Sequence, residues 1–266
     1  MPRSALLNVM VQAVTKAGRA LSRDFGEVEN LQVSVKGPAE FVSAADHKAE
    51  KTLITELSRA RPGFPFLTEE TGIVAGSDKS HRWIIDPLDG TTNFLHGIPI
   101  FAISVALERD GEIIAGVVFN PVSNELFVAE RGQGAFFNDR RLRVAQRTEL
   151  ADAVIATGIP HRGRAGHDEF NLELPDLMKR VAGVRRCGAA AVDLAWLAAG
   201  RFDGFWERGL QPWDMAAGII LIQEAGGMIS DFDGRQETLA TGGVIAGNPN
   251  IHRLLRKTLD EARIGG

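Results

Sequence analysis

The sequence predicts an α/β fold of layered helices and sheets, in which the sheets are mixed and partly antiparallel. Two features of the chain support this fold class. Short runs rich in β-branched and aromatic residues follow one another over residues 82–129, and helix-like and strand-like segments alternate after about residue 150. We expect a single domain over residues 1–266, with loose halves at 1–150 and 151–266.

Two helices are expected before the first strands. Apolar residues recur every three to four positions from Leu6 to Leu21 and form one face of an opening helix, which Ser4 can cap. A second helix is expected over residues 45–60 and ends at the Pro- and Gly-containing turn at 61–63. Its buried face comprises Ala49, Leu53, Ile54 and Leu57.

The middle of the chain predicts a sheet with antiparallel neighbours. Asp110-Gly111 separates two β-prone runs, and glycine accepts the positive φ that a tight hairpin requires. The β-prone runs cover residues 83–85, 101–107, 113–119 and 126–129. The later elements are strands at 154–157, 202–206, 228–231 and 243–246 and helices at 168–180, 189–199, 213–224 and from Pro249.

Bulk properties exclude several classes of protein. With 30 basic residues, 34 acidic residues and a net charge of −4, the chain is not expected to bind nucleic acid directly. Residues 1–20 contain no apolar stretch long enough for a signal peptide or a membrane span, so we expect a cytoplasmic protein without membrane association. Cys187 is the only cysteine, which excludes an intramolecular disulfide and a cysteine-rich zinc site.

Two aspartates three residues apart follow the β-prone run at 83–85. Asp86 closes that run, Pro87 is expected to end the strand because it lacks an N–H, and Asp89 follows within one turn. Converging carboxylates repel one another unless a cation lies between them, and oxygen ligands suit hard ions such as Mg²⁺. Gly90 would let the backbone approach a ligand, and the threonine after it offers a hydroxyl and an amide to a phosphate group.

An ordinary turn explains the same aspartates, since Asp-Pro and Asp-Gly are common turn sequences and an aspartate often caps a helix. Two further acidic sites favour the metal interpretation. Thr68-Glu69-Glu70 places adjacent acids upstream, and Asp214 follows Trp213 at the start of a later helix. Together these acids supply enough oxygen ligands for a metal site.

The motifs resemble those of the inositol monophosphatase family. Residues 68–70, 83–93 and 211–218 match the family's motifs in its order and at about its spacing. The resemblance spans nearly the whole chain, although Ser43 stands where many members have threonine. Supporting matches lie at Lys36, Asp46, 188–194 and 226–227.

The resemblance implies a layered αβαβα sugar-phosphatase fold and two to three Mg²⁺ ions per site. By position, Glu69, Asp86 and the backbone carbonyl of Leu88 would bind the first ion. Asp86, Asp89 and Asp214 would bind the second, and a weaker third ion would lie near Glu69. Inhibition by lithium and assembly as a homodimer are further implications of the family.

The resemblance also implies catalytic and substrate-binding residues. Thr91 would help Glu69 orient and activate the attacking water, at an ion that Asp86 holds. Residues 1–150 would form the metal and phosphate side of the protein, and residues 151–266 the substrate side. The residues expected to bind substrate are Asp89, Gly90, Thr91, Gly188, Ala189, Ala190, Glu207 and Asp214.

Three functions remain open from the sequence. The leading interpretation is a Mg²⁺-dependent phosphatase that hydrolyses inositol monophosphate, with Glu207 accepting hydrogen bonds from ring hydroxyls. The alternative for Glu207 is an exposed acid at the end of a strand. The second keeps the metal chemistry but changes the substrate to histidinol phosphate, fructose 1,6-bisphosphate or a 3′-phosphonucleotide. The third is a partner protein of the bacterial transcription machinery, a role that some relatives have.

Overall fold

The computed structural model describes residues 3–27, 33–37 and 40–264. At 33–37 and 40–42 the backbone alone is described, so the side chain of Lys36 lies outside the described part of the chain. Helices and sheets stack in the order helix, sheet, helix, sheet, helix. The layered α/β class predicted from the sequence is confirmed.

The larger sheet has eight strands and occupies the second layer. Its strand order is β10-β9-β8-β7-β6-β5-β3-β4, and all neighbours are antiparallel except β3 and β5, which are parallel. The strands are β3 (Phe66–Thr68), β4 (Gly72–Val74), β5 (His81–Asp89), β6 (Ala102–Arg109), β7 (Glu112–Asn120), β8 (Glu125–Glu130), β9 (Gly134–Phe137) and β10 (Arg140–Arg141).

Two helices cover the outer face of this sheet. Helix α1 (Ala5–Phe25) begins at Ser4, whose hydroxyl accepts a hydrogen bond from the Leu7 N–H at 3.1 Å, as the sequence predicted. Helix α2 (Ala44–Ala60) follows a two-stranded antiparallel ribbon of β1 (Val33–Gly37) and β2 (Glu40–Ser43). The predicted buried face of α2 is confirmed at Ala49, Leu53 and Leu57, but Ile54 is only half-buried at its margin.

The third layer consists of α5 (Ala190–Ala198) and α6 (Pro212–Glu224), which lie between the two sheets. Both helices are apolar on nearly every side because each contacts a sheet on either face. Gly116 of β7 allows α6 to approach closely, since a Cβ there would lie 2.5 Å from Cγ2 of Ile220. The middle of α6 therefore lies directly against the larger sheet.

The smaller sheet and two outer helices complete the fold. Its strand order is β12-β11-β13-β15-β14, with β12, β11 and β13 parallel and the remaining pairs antiparallel. Helices α4 and α8 contact each other and cover its outer face. The elements after residue 150 are β11 (Val154–Thr157), α4 (His167–Met178), β12 (Gly183–Arg185), β13 (Gly204–Glu207), β14 (Met228–Ser230), α7 (Thr238–Thr241), β15 (Val244–Gly247) and α8 (Pro249–Ile264).

One local prediction is confirmed and one is wrong. Asp110 and Gly111 both have positive φ, 52° and 83°, in the hairpin between β6 and β7. Strand β5, however, does not end at Pro87: its pairing with β6 is interrupted after Asp86 and resumes at Asp89. The interruption is a bulge, in which Pro87 has no N–H to donate and the Leu88 N–H turns to the Asp86 side chain.

No helix within 3–27, 33–37 and 40–264 is both long enough and apolar enough to cross a bilayer.

Candidate active site

A cavity of about 710 Å³ opens where β5, β11 and β13 end and where α5 and α6 begin. Acidic side chains line it on the side of the larger sheet, and glycine- and alanine-rich backbone lines it on the side of α5. All eleven site residues predicted from the sequence contribute to its wall. These are Glu69, Asp86, Leu88, Asp89, Gly90, Thr91, Gly188, Ala189, Ala190, Glu207 and Asp214.

The parallel pairing of β3 and β5 brings the first two acids together. Thr68 pairs with Ile85, so Glu69 follows β3 at the level at which Asp86 lies on β5. The Glu69 N–H donates to the Ile85 carbonyl oxygen at 3.2 Å, which holds the residue beside the strand. Its carboxyl group is within hydrogen-bond reach of the Asp86 carboxyl group.

The bulge in β5 adds the third acid. The Leu88 N–H donates to Oδ1 of Asp86 at 2.9 Å, and this turn leaves Asp89 paired with Ala102 on β6. Oδ2 of Asp89 accepts a hydrogen bond of 2.7 Å from the Ala191 N–H in the first turn of α5. A bulge that extends the strand past a proline thus directs two aspartates into one cavity.

Helix α6 delivers the fourth acid. Asp214 lies in its first turn, and Oδ2 accepts a hydrogen bond of 2.7 Å from the N–H of Gln211. The buried hydroxyl of Ser104, which pairs with Asp86 across β5 and β6, donates to the Trp213 carbonyl at 3.2 Å. Asp86, Asp89 and Asp214 each contribute one oxygen to a group in which all three oxygens lie within 4.8 Å of one another.

Burial and mutual repulsion raise the pKa values of these acids. Burial, followed by the charges of Glu69, Asp89 and Asp214, raises the pKa of Asp86 well above its usual range. The pKa of Asp89 is also raised well above its usual range, first by burial and then by the charge of Asp214. Burial raises the pKa of Asp214 to about 6, although the Gln211 N–H and Arg164 oppose the shift.

The donor set suits a hard divalent cation. Carboxylate oxygens that converge this closely are stable together only when protonated or when a cation lies among them. Oxygen-only ligands favour Mg²⁺ over softer metals, which prefer nitrogen or sulfur. The Leu88 carbonyl, on the same bulge, adds a neutral oxygen next to these acids.

Thr91 connects the bulge to α2. Its hydroxyl lies 3.1 Å from the Leu88 carbonyl oxygen and 3.1 Å from Oδ1 of Asp46, and its one proton can be donated to either. Asp46 is fully buried, and its other oxygen accepts from the amide and hydroxyl of Ser43 at 2.8 and 2.6 Å. Gly90 precedes the short helix α3 (Thr91–Leu95) with φ of 89°, a conformation that a side chain would strain.

Glu50 holds the backbone next to Glu69. This buried α2 residue accepts a hydrogen bond of 3.0 Å from the Glu70 N–H at Oε2, and its Oε1 accepts from the Thr71 hydroxyl. Sequence reasoning missed Glu50, although a signal was available. Asp46 and Glu50 are acids spaced four residues apart on the face of α2 that also carries Ala49 and Leu53.

The substrate side begins with the residues before α5. Gly188 has φ of 86°, and the buried Asn93 side chain donates to the Cys187 and Ile100 carbonyls at 2.8 and 2.7 Å. These bonds fasten the start of α5 to the chain that follows α3. The Ala191 N–H donates to the Asp89 carboxylate, so the first turn of α5 contributes to both the metal side and the substrate side of the cavity.

Glu207 lies at the end of β13 and is half-buried in the cavity rather than exposed at the surface. Its carboxyl group occupies the space beside Gly158, where a Cβ would lie 1.9 Å from Oε1 of Glu207. Burial, followed by the charges of Asp193 and Asp214, raises its pKa to about 8. Glu207 is therefore largely protonated at neutral pH and can both donate to and accept from a hydroxyl group.

The loop before α4 forms the wall opposite the aspartates. Nη1 of Arg164 donates to the Gly209 carbonyl at 2.8 Å, and the same arginine lowers the pKa values of Glu207 and Asp214. Sequence reasoning assigned no role to residues 160–168, because an arginine in a glycine-rich loop has no periodic pattern to interpret. Arg186 also lines the cavity.

Comparison with known proteins gives a consistent relationship over the whole length. The sequence model of the inositol monophosphatase family matches residues 3–263. The chain is 64% identical over 259 residues to the inositol-1-monophosphatase of Mesorhizobium japonicum, which covers 97% of each protein. It is 43% identical over 258 residues to a Pseudomonas aeruginosa protein named Nus factor SuhB, covering 96% of this chain and 95% of that protein.

Solved structures show the same fold. The crystal structure of the extragenic suppressor protein SuhB from Bartonella henselae superposes with a TM-score of 0.95 at 58% identity, covering 97% of this chain and 99% of that one. An inositol monophosphatase from Thermotoga maritima superposes with a TM-score of 0.88 at 34% identity, covering 98% of this chain and 99% of that one. The similarity therefore extends to the arrangement of all five layers.

Removing Glu50 should weaken metal binding. Glu50→Ala deletes both acceptors that hold residues 70 and 71, so we expect the affinity for Mg²⁺ to fall roughly tenfold, as for other groups that support metal ligands. Glu50→Gln keeps an acceptor for the Glu70 N–H and should recover most of the loss. Calorimetric titration of the substrate-free protein with Mg²⁺ measures the affinity.

Glu56→Ala is the matched control, because Glu56 is on the same helix but bonds Lys16 at 2.6 Å. It should leave the Mg²⁺ affinity unchanged. If Glu50→Ala lowered only the unfolding temperature and left the affinity intact, Glu50 would not position the metal ligands.

The metal-free protein should lose stability as the pH rises. The pKa values of Asp214 and Glu207 are about 6 and 8 in the folded protein, whereas unfolded carboxyl groups titrate near ~4, so the folded state holds more protons between these limits. Below pH ~4 these groups are protonated in both states and do not lower the free energy of unfolding. As the pH rises through about 8, they ionise less easily in the folded state, so the free energy of unfolding falls. Thermal unfolding in EDTA, from pH 5 to pH 8.5, measures this trend.

Mg²⁺ should reverse the trend by neutralising the ionised acids, so its stabilising effect should be larger at pH 8.5 than at pH 5. Asp89→Asn, which removes one member of the cluster, should flatten the dependence in EDTA. An unfolding temperature that did not change with pH in EDTA would contradict the proposed repulsion.

Proposed function

The chain belongs to the inositol monophosphatase family, and we propose that it hydrolyses inositol monophosphate to inositol and phosphate with Mg²⁺ as the cofactor. One observation carries the proposal: the oxygens of Asp86, Asp89 and Asp214 converge within 4.8 Å in a cavity that Glu207 also lines. The first three supply a metal site, and the fourth supplies a group that can bind a hydroxyl. A phosphate ester of a polyol needs both.

The slowness of the uncatalysed reaction explains why a metal cluster is needed. Hydrolysis of phosphate monoesters is among the slowest biological reactions, and accelerations approach ~10²¹. Bound Mg²⁺ lowers the pKa of a coordinated water and neutralises charge on the attacking and leaving oxygens. Glu69, Asp86 and the Leu88 carbonyl would hold one ion, while Asp86, Asp89 and Asp214 would hold a second; a third would lie near Glu69.

The residues around the ions have separate roles in this proposal. Thr91 and Glu69 would orient the attacking water, and the bond between Thr91 and the buried Asp46 fixes the threonine rotamer that this role needs. The amides of Gly90 and Thr91 would bind the phosphate oxygens. A Cβ at position 90 would lie 3.0 Å from Cβ of Ala189 and 3.0 Å from the Ile100 carbonyl oxygen, so the backbone that carries these amides can pack here only as glycine.

A covalent phosphoenzyme is not part of the proposal. The only thiol is Cys187, and burial, followed by the charge of Asp193, raises its pKa to about 12. The thiol is therefore protonated at neutral pH and is a poor nucleophile. Direct attack by water agrees better with these side chains.

Substrate binding would involve residues 188–190 and Glu207. The backbone of Gly188, Ala189 and Ala190 lies along one wall of the cavity, and Glu207 lies on another. A buried group that pairs with substrate hydroxyls strongly rejects analogues that lack them. Residues 1–150 would thus supply most of the metal side and residues 151–266 the substrate side, with Asp214 crossing from the second half to the first.

A substrate panel tests the proposal. Phosphate release should be fastest from myo-inositol 1-phosphate, should require Mg²⁺ and should be inhibited by lithium. Histidinol phosphate, fructose 1,6-bisphosphate and 3′-phosphoadenosine 5′-phosphate should be hydrolysed more slowly. A clear preference for one of these three would retain the chemistry but replace the substrate.

Asp89→Asn should lower kcat roughly 10³-fold or more, because it removes one anionic ligand and places a neutral amide group among the remaining acids. Asp152→Asn, at an exposed aspartate in the short 3₁₀ helix before β11, is the matched control and should be as active as the wild type. Wild-type turnover by Asp89→Asn at saturating Mg²⁺ would show that Asp89 is not a ligand.

A second candidate function is association with the transcription machinery. It is favoured by relatives from Pseudomonas aeruginosa and Escherichia coli that are named Nus factor SuhB and are 43% and 42% identical to this chain. Co-purification of the Asp89→Asn protein with RNA polymerase, and rescue of a deletion strain by it, would separate such a role from catalysis. Analytical ultracentrifugation of the purified Asp89→Asn protein would also test the expected homodimer.

A further inference from the structure

Asp193 is a buried acid in the wall of the active-site cavity, and the reaction described above gives it no role. It lies in the first turn of α5, where its N–H donates to the Ala189 carbonyl at 3.0 Å. Residues one helical turn apart lie on the same face, so Asp193 shares a face with Ala189 and Ala190 of the proposed substrate side. Its side chain borders the cavity beside theirs.

One oxygen of this carboxyl group has no hydrogen-bond partner. Asp193 is 1% exposed, and its Oδ1 is among the buried polar atoms that no donor within the described ranges reaches. Leaving a buried acceptor unpaired is costly, and such atoms usually bind something that the protein alone does not contain. Oδ1 itself has almost no accessible surface, but Asp193 borders the cavity, so a ligand there can contact the carboxyl group through its other oxygen, Oδ2.

The surroundings of Asp193 indicate the kind of ligand. The Cys187 thiol hydrogen-bonds to its carboxyl group, and Arg186 is the cationic neighbour. Asp89 and Glu207 are both close enough for the Asp193 charge to raise their pKa values. Asp193 thus lies between the metal side and Glu207, where a ring attached to a bound phosphate would be.

We propose that Asp193 binds a hydroxyl group of the substrate ring, so that Asp193 and Glu207 together recognise two hydroxyls of a polyol phosphate. The inference rests on the proposed function and identifies a further residue that determines specificity. A hydroxyl of the ring donates to Oδ2 of Asp193, so that a carboxyl group with few hydrogen-bond donors around it gains a partner from the ligand. Two acids at separate points on the ring also fix its rotation, which one acid cannot do.

The experiment compares an ester that carries ring hydroxyls with one that does not. Values of kcat and KM are measured for the wild type, Asp193→Asn, Asp193→Ala and Cys187→Ala on myo-inositol 1-phosphate, on its single-deoxy analogues and on p-nitrophenyl phosphate. Asp193→Ala should raise KM for the inositol ester roughly tenfold with kcat nearly unchanged, and should change kcat/KM for p-nitrophenyl phosphate less than about twofold. Asp193→Asn should give an intermediate loss.

One deoxy analogue should identify the hydroxyl that Asp193 binds. For that analogue the wild type and Asp193→Ala should have the same kcat/KM, whereas the tenfold difference should persist for the others. Cys187→Ala removes the thiol next to the same carboxyl group and should leave the preference for the inositol ester unchanged. Thermal unfolding and Mg²⁺ titration of each variant show whether the fold and metal site are intact.

Several outcomes would overturn the inference. An equal loss on both esters, or an equal loss of preference in Cys187→Ala, would mean that Asp193 acts through the metal site or the fold. If the wild type itself does not prefer the inositol ester, the proposed function fails, and the comparison is repeated with the hydroxylated ester that it does prefer. A wild type that prefers no hydroxylated ester over p-nitrophenyl phosphate would refute both proposals.

Discussion

Repulsion among acids at one end of the larger sheet is the constraint on which the rest of the structure depends. Asp86, Asp89 and Asp214 each receive one hydrogen bond from a backbone N–H, donated by Leu88, Ala191 and Gln211 respectively. These three donors partly offset the cost of holding the acids together, and they fix the direction in which each carboxylate points. A single backbone donor leaves every carboxylate with free lone pairs, and those remain available to a cation.

The layers explain how three separate segments meet at this point. The bulge of β5 supplies two of the acids, and the starts of α5 and α6 supply a donor and the remaining aspartate. Both helices are fixed along their length between two sheets, so their first turns cannot move apart as the acids repel one another. The positive ends of the helix dipoles also favour the nearby negative charge. Glu50 and Asp46 perform the corresponding task from α2, where they hold the backbone near Glu69 and Thr91.

Sequence reasoning predicted the long helices and most strands after residue 150, but it did not predict several short elements of the first half. The helices α1, α2, α6 and α8 and the hairpin at Asp110-Gly111 have local signals, and the structure agrees with each within a few residues. The three residues of β3 carry no pattern that predicts a strand, yet the parallel pairing of β3 with β5 is what places Glu69. The sequence predicted that the strand ends at Pro87, because proline has no N–H to donate to a neighbouring strand. Whether pairing resumes at Asp89 depends on β6, which the local sequence around Pro87 does not show. The sequence predicted those site residues that lie in motifs with acids next to glycine or proline. It did not predict roles for Glu50, Asp193 and Arg164, because those roles arise from contacts between distant segments.

The missing side chain at residue 158 constrains how specificity in this cavity can change. The carboxyl group of Glu207 fills the volume that any larger residue at 158 would need, so the position just after β11 and the last residue of β13 are sterically linked. A larger residue at 158 would force the carboxyl group of Glu207 to a new position, and a shorter acid at 207 would leave a void beside the backbone of residue 158. The residue at 158 therefore sets where the acid at 207 can lie, and a change of substrate at this wall is expected to involve both positions.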